Sequence, residues 1–210
     1  MHVAVYLALV LPLVATVSAR WLATRLDPRV ATWLLTGAAL GLAATSGVAL
    51  GALAATAIGQ IPMMGMLGDW SVEVLRRNDP ASLTLATVAC VALAAALTTA
   101  GRAVVHRIKA LVDAVRTARK LPTVDPSGEL VIVDDPTPDA YALPGVPGRI
   151  VVSTGMLDAL HEREQRVLLA HERAHLACGH HLFVTIAQVA AATNPLLLPV
   201  AAAVRYTTER

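Results

Sequence analysis

Val167-Leu168-Leu169-Ala170-His171-Glu172-Arg173-Ala174-His175 is the stretch on which the reading of the whole chain turns. Its two histidines stand at i and i+4, so on a helix they lie one above the other on the same face. Two imidazoles placed that way can share one Zn²⁺ at roughly 2.0–2.1 Å. Glu172 is one residue along and offset from the metal, where its carboxylate can hold a zinc-bound water and take its proton. His171 and His175 are therefore candidate metal ligands and Glu172 a candidate general base. Three fixed letters in five recur by chance, usually as two solvated histidines. Here the motif sits in a helical stretch behind a strand and a turn, and the apolar shoulder 167–170 is suited to burying one helix side.

Such a site needs a third protein ligand, and two residues downstream qualify. His181 lies six residues past His175, the third-ligand position of an HExxHxxGxxH site. That arrangement needs glycine at 178 to turn the chain, whereas residue 178 is Cys and the glycine falls at 179. A helix that simply continues turns His181 away. The other candidate is Glu209, since no Asp or Glu lies between Arg173 and it. Pro195 in Asn194-Pro195 would cost a continued helix about 3 kcal/mol but fits the first turn of a new one. The 19 residues from His175 to Asn194 and the 15 from Asn194 to Glu209 are comparable arms of a helical hairpin. Such a hairpin, with arms Leu182–Thr193 and Leu196–Arg205, returns Glu209 towards the motif. Read instead as a fourth span, Leu182–Val204 would carry Glu209 about 30 Å away.

Upstream of the motif, six prolines between Pro122 and Pro147 punctuate two short β-type runs, 130–133 and 149–152. They predict two strands of a small sheet, followed by a turn at Ser153-Thr154-Gly155. A short helix near 156–160 and a long one from about 162 are expected next.

Before residue 121 the chain changes character. Overall 56% of residues are hydrophobic and only 15% charged, against about 25% charged in soluble domains; the mean hydropathy is +0.61. Residues 1–19, 30–58 and 81–101 are each long enough to cross a bilayer, which takes roughly 20 residues. Val17-Ser18-Ala19 resembles a signal-peptidase site, but no basic segment precedes it and more spans follow, so a retained first helix is expected. Gly37/Gly41 and Gly47/Gly51 form GxxxG pairs, which let helices approach closely in lipid or arise by chance in an Ala/Gly-rich tract. Gln60-Ile61-Pro62 is expected to end the second helix. Loop 20–29 carries Arg20, Arg25 and Arg29, and the segment 102–120 carries six basic residues against the lone Asp113, while loop 68–80 leans acidic. Basic flanks stay cytoplasmic, which puts the N-terminus outside and residues after 101 in the cytoplasm.

These features also exclude. A formal charge of +2 is too small to suggest nucleic acid, and the three spans lack the mid-membrane ionisable residues of a transporter. Cys90 and Cys178 give no disulfide framework and read as small buried residues.

From Asp139 onward the chain resembles integral-membrane gluzincin peptidases, above all the BlaR/MecR-type antirepressor peptidases and more distantly the HtpX-type membrane proteases. The matching stretches are 140–145, 150–155, 169–175 with His180 following, Asn194-Pro195-Leu196 and 205–209. The resemblance implies His171, His175 and Glu209 as zinc ligands and Glu172 as base, with Ile150, Val151 and Val152 on an edge strand where an extended peptide docks. The family pattern continues to an aspartate about four residues past the glutamate, so the sequence reads as the N-terminal portion of a longer protein. The expected fold is a mostly α membrane protein. It comprises a transmembrane helix bundle (1–101), a basic juxtamembrane helix (102–120) and a small α+β zincin-like catalytic domain with its HExxH helix (121–210). The expected activity is a Zn²⁺-dependent endopeptidase in the cell membrane, multi-pass, with its catalytic domain cytoplasmic. Its expected partners are a protein or peptide substrate and the lipid bilayer, with a homo-oligomer left open. The alternatives are a peptidase that inactivates a repressor under control of a sensor region, and a non-catalytic membrane scaffold.

Overall fold

The structure, a computed structural model, describes residues 2–59, 83–120, 123, 128–145 and 148–210. The readings at Gln60-Ile61-Pro62 and loop 68–80 lie outside the described residues. Three helices come first: α1 (His2–Arg25), α2 (Pro28–Gly59) and α3 (Leu83–Lys120). Strands β1 (Leu130–Val133), β2 (Ala140–Leu143) and β3 (Arg149–Ser153) follow. Then come α4 (Thr154–Ala159), α5 (Glu162–Cys178), α6 (His180–Thr193), a 3₁₀ turn at Pro195–Leu197 and α7 (Leu198–Thr208). These elements fall into two compact units, one of residues 1–103 with 186–210 and one of residues 104–185. The expected boundaries differ on two points. Residues 102–120 are the second half of the single helix α3, and the end of the chain, 186–210, groups with the first helices rather than with the sheet.

In the unit of residues 1–103 and 186–210, helices α1–α3 bury mostly small residues and expose large ones, whereas the 3₁₀ turn and α7 bury Leu197, Val200 and Val204. Ala19 and Ala23 on α1, Ala31, Ala39 and Ala43 on α2, and Ala86 and Ala89 on α3 are buried, whereas Val17, Trp21, Trp33, Val48 and Val91 are exposed. That inversion suits helices in lipid, where outward apolar side chains cost nothing and small residues let backbones close up. On α1–α3 the buried positions are mostly alanine, and of the two readings of the GxxxG pairs, close approach and chance, the glycines fit the second. A Cβ built on Gly37, Gly41, Gly47 or Gly51 meets nothing within 4 Å. Among the described residues two helical segments are long and apolar enough to cross a membrane, Pro28–Ala55 and Thr84–Thr117.

Asn194 ends α6. Its side-chain oxygen accepts from the Leu196 N–H at 3.1 Å, and its amide donates to Ser46 Oγ at 3.3 Å. Pro195 opens the 3₁₀ turn, where its missing N–H costs nothing. From there α7 runs alongside α1 and α2. Near its start Thr16 Oγ1 donates to the Leu196 carbonyl. Near its end Thr32 Oγ1 donates to Thr207 Oγ1 at 2.9 Å, and the Arg210 guanidinium donates to the Ala23 carbonyl at 2.8 Å. The helix thus travels back from mid-α2 to the α1–α2 connection, and its 11 residues, about 16 Å of helix, are too few for a span.

In the unit of residues 104–185 the core is β-branched. The sheet order is β1-β3-β2, with β1 parallel and β2 antiparallel to β3. One face packs Val131, Leu143 and Val151 with Val133 against Ala114 of α3. The other faces α5, because a Cβ on Gly148 would meet the Leu176 side chain at 3.2 Å, and Ile150 and Val152 share that parity along the strand. The expected edge strand is therefore the central one. Ile150, Val151 and Val152 are 0, 3 and 0% exposed, and their backbone is paired on both sides, so they cannot dock a peptide. Two strands were expected where three form, since the short run Ala140-Tyr141-Ala142-Leu143 gives little alternation to read.

Ser153-Thr154-Gly155, expected as a turn, is the N-cap and first turn of α4. Ser153 Oγ accepts from the Met156 N–H at 3.1 Å and donates to the Thr137 carbonyl at 2.7 Å. Gly155 is dictated by space, since a Cβ there would lie 2.1 Å from the Pro136 carbonyl oxygen.

Candidate metal centre

Helix α5 carries the motif. Its start is set by charge and capping: Glu162 and Glu164 occupy the first turn, where carboxylates suit the helix dipole. Glu164 Oε2 accepts from the His161 N–H at 2.8 Å. Gln165 Nε2 donates to the carbonyls of Leu157 and Leu160, at 2.8 and 3.1 Å, and so ties α5 to α4. The helix ends at Gly179, whose φ of 63° is left-handed and which closes the last turn onto the His175 and Leu176 carbonyls. Glycine takes that conformation without strain. The expected long helix is consequently two, α5 and α6, bent by 62° at the glycine.

His171 and His175 point their Nε2 atoms at one another, 2.9 Å apart. Tetrahedral zinc with bonds of about 2.0–2.1 Å holds two donor nitrogens roughly 3.3 Å apart, so small ring rotations fit the pair to the ion. Glu172 is buried, at 9% exposure, while His171 is exposed and His175 half-buried. The shoulder 167–170 is not the buried side expected of it: Val167 is 66% exposed. On the far side of its ring, His175 Nδ1 lies 2.9 Å from Nδ1 of His180. His181 does not take that place. Burial pushes its pKa below the ordinary imidazole value, which favours the neutral ring. Cys178, expected to be buried, is exposed, and Cys90 is half-buried with its thiol towards the Ala54 carbonyl.

Of the sequence-derived site residues, His171, Glu172 and His175 stand together on α5, and Ile150, Val151 and Val152 lie inside the sheet. Glu209 caps the C-terminus of α7. His180, which follows the motif in the stretches that carry the resemblance, is the residue to which the sequence assigned no role. Its signal was Gly179, a helix-ending glycine that brings the next residue round against His175.

The family model described as Peptidase family M48 matches residues 102–209, just over half of the 210 residues. The chain belongs to peptidase family M48. M48 proteins are metal-dependent peptidases, typically with zinc, and this M48 chain carries a histidine pair suited to that metal. Over 63 residues it is 36% identical to the plastoglobule-localized metallopeptidase 48, chloroplastic, of Arabidopsis thaliana. The match covers 29% of this chain and 18% of that protein, so the M48 chain spans under a fifth of its relative. No solved structure matches.

Proposed function

We propose that this M48 chain is a membrane-embedded zinc endopeptidase of the integral-membrane gluzincin kind, cutting cytoplasmic or membrane-proximal protein. The observation that carries the reading is the convergence of the two Nε2 atoms of α5 at 2.9 Å, with Glu172 buried between them in sequence. His171, His175 and Glu209 would hold the zinc. Glu209 is supported by being the sole carboxylate after Arg173, and by the return of α7 to the α1–α2 connection, whose arginines suit the cytoplasmic face. When bound, zinc supplies a Lewis acid that lowers the pKa of water to about 7. Glu172 orients the attacking water, takes its proton and passes it to the leaving amine.

For the substrate, the edge strand β2 replaces β3. The Ser153 N–H donates to the Asp139 carbonyl. By antiparallel alternation the peptide groups of Tyr141 and Leu143 then pair with β3, and those of Ala140 and Ala142 face outward. An extended chain adding to this edge would be held by main-chain bonds, which suit many sequences.

Metal analysis of the full chain in detergent tests the reading. About one zinc per chain is expected, lost in the His171→Ala/His175→Ala variant. Glu172→Gln should keep the zinc and lose about 10²–10⁴-fold in cleavage of an unstructured reporter protein. Equal zinc in wild type and the double variant defeats the site, and undiminished cleavage by Glu172→Gln defeats the base. The cytoplasmic side is tested with Thr123→Cys in a chain whose Cys178, exposed, and Cys90 are first changed to Ser. An impermeant thiol reagent should leave it unlabelled in intact cells and label it after lysis; labelling of intact cells reverses the topology.

A further inference from the structure

We propose that His180 is a positioning residue for the metal centre: by accepting a hydrogen bond at its Nδ1 it fixes the tautomer and ring orientation of His175. This rests on the zinc reading above. His175 faces His171 through Nε2 at 2.9 Å and faces His180 through Nδ1 at 2.9 Å. A histidine that offers the lone pair of Nε2 to a metal must carry its proton on Nδ1. The contact between His175 Nδ1 and His180 Nδ1 is then a donor–acceptor pair in one sense only. His175 donates, His180 accepts, and the His180 proton sits on Nε2. Metal-binding histidines are regularly held this way through their second ring nitrogen, and losing that partner costs roughly 10–100-fold in metal affinity.

The geometry excludes two other roles. The two rings meet edge to face, with centroids 4.8 Å apart and planes at 86°, which is a hydrogen-bonding approach and not a stack. The His180 nitrogen that reaches His175 meets the side of the ring turned away from His171, so His180 backs the pair and is not a ligand beside it. The backbone explains how it gets there. Gly179 turns the chain out of α5 at φ 63°, and the first residue of α6 arrives against the last turn of α5. A continued helix would have put residue 180 five positions from His175 and off its face. The positioning group is thus supplied by the helix break itself.

The test reads zinc affinity of the full-length protein by chelator competition, together with the thermal unfolding of the metal-free form. His180→Ala should bind zinc roughly 10–100-fold more weakly, with metal-free unfolding unchanged. The deciding pair is His180→Asn and His180→Gln. Asn can present its side-chain oxygen where Nδ1 stands and should recover most of the affinity. Gln projects its polar end towards the Nε2 position and should not. Wild-type affinity in His180→Ala, or equal affinities in the Asn and Gln variants, overturns the assignment. His171→Ala separates this failure from failure of the parent reading. If it too binds zinc normally, the site is wrong; if it alone loses zinc, only the role of His180 falls.

Discussion

In the unit of residues 1–103 and 186–210, alanines fill the helix seams while Val17, Trp33 and Val48 face outward. In the unit of residues 104–185, Val131, Ile150 and Val152 are fully buried and the helix surfaces carry Glu162, Arg166 and Arg173. On α1–α3 the larger apolar residues thus mostly face outward, whereas in the sheet, as in α7 with Val200 and Val204, they are buried. Where water surrounds the fold, burying large side chains drives assembly at about 25 cal/mol per Å². In a lipid surround, which the apolar helices Pro28–Ala55 and Thr84–Thr117 would suit, that force would vanish between helices and close approach over small residues would take over. Hydropathy marks the apolar tracts, but which face packs is decided by volume.

The largest expected difference between the units follows from burial. Ile150→Ala should cost the sheet unit about 2–5 kcal/mol, since it removes a fully buried branched side chain and leaves a cavity. Val17→Ala trims a larger exposed surface, at 81% exposure, and should leave unfolding in detergent unchanged. Thermal unfolding of the two variants decides it. Comparable losses would mean that Val17 packs against protein and that the inside-out arrangement is wrong.

Glycine sharpens the same contrast at smaller scale. Gly155→Ala must push a methyl group into the Pro136 carbonyl, 2.1 Å away, and should destabilise by about 1–3 kcal/mol or more. Gly41→Ala meets open space and should be neutral, or stabilising by up to about 1 kcal/mol through lower chain entropy. A strong loss at Gly41 would restore the GxxxG pair to a packing role.

These contrasts also mark what the sequence disclosed. His171, Glu172 and His175 were legible because the i, i+4 spacing of α5 is local. The break at Asn194-Pro195 was legible because proline acts on its own helix. The centre of the sheet was not. Whether Ile150-Val151-Val152 is an edge or a middle strand depends on which partner lies on each side, and the run from Ala140 to Leu143 is too short and too weakly patterned to declare itself a strand. The contact of His180 with His175 was not legible for a related reason. Gly179 was weighed for where it failed to stand, at 178, and not for the left-handed cap it forms.

The smallest predicted effect bears on the largest structural claim, the course of α7. Thr207 is 3% exposed; its hydroxyl accepts from Thr32 at 2.9 Å and donates to the Val204 carbonyl at 2.8 Å. Thr207→Val keeps the shape and deletes the hydroxyl. Thr32 is not stranded, because its single hydroxyl proton can turn to the Pro28 carbonyl, 2.8 Å away. The loss should be about 0.6 kcal/mol and at most about 1.7, the range measured for such bonds between helices in membranes. A stability change that small does not by itself fix the position of α7, but the same pair offers a sharper readout. In a chain whose Cys90 and Cys178 are changed to Ser, Thr32→Cys and Thr207→Cys set two sulfurs where two oxygens now touch, within reach of the disulfide length of about 2.05 Å. Mild oxidant should join α2 to α7 in the folded protein and not in its unfolded form. A pair that stays reduced while the protein is folded means that α7 does not return along α2, and the support this course lends to the proposed ligand role of Glu209 falls with it.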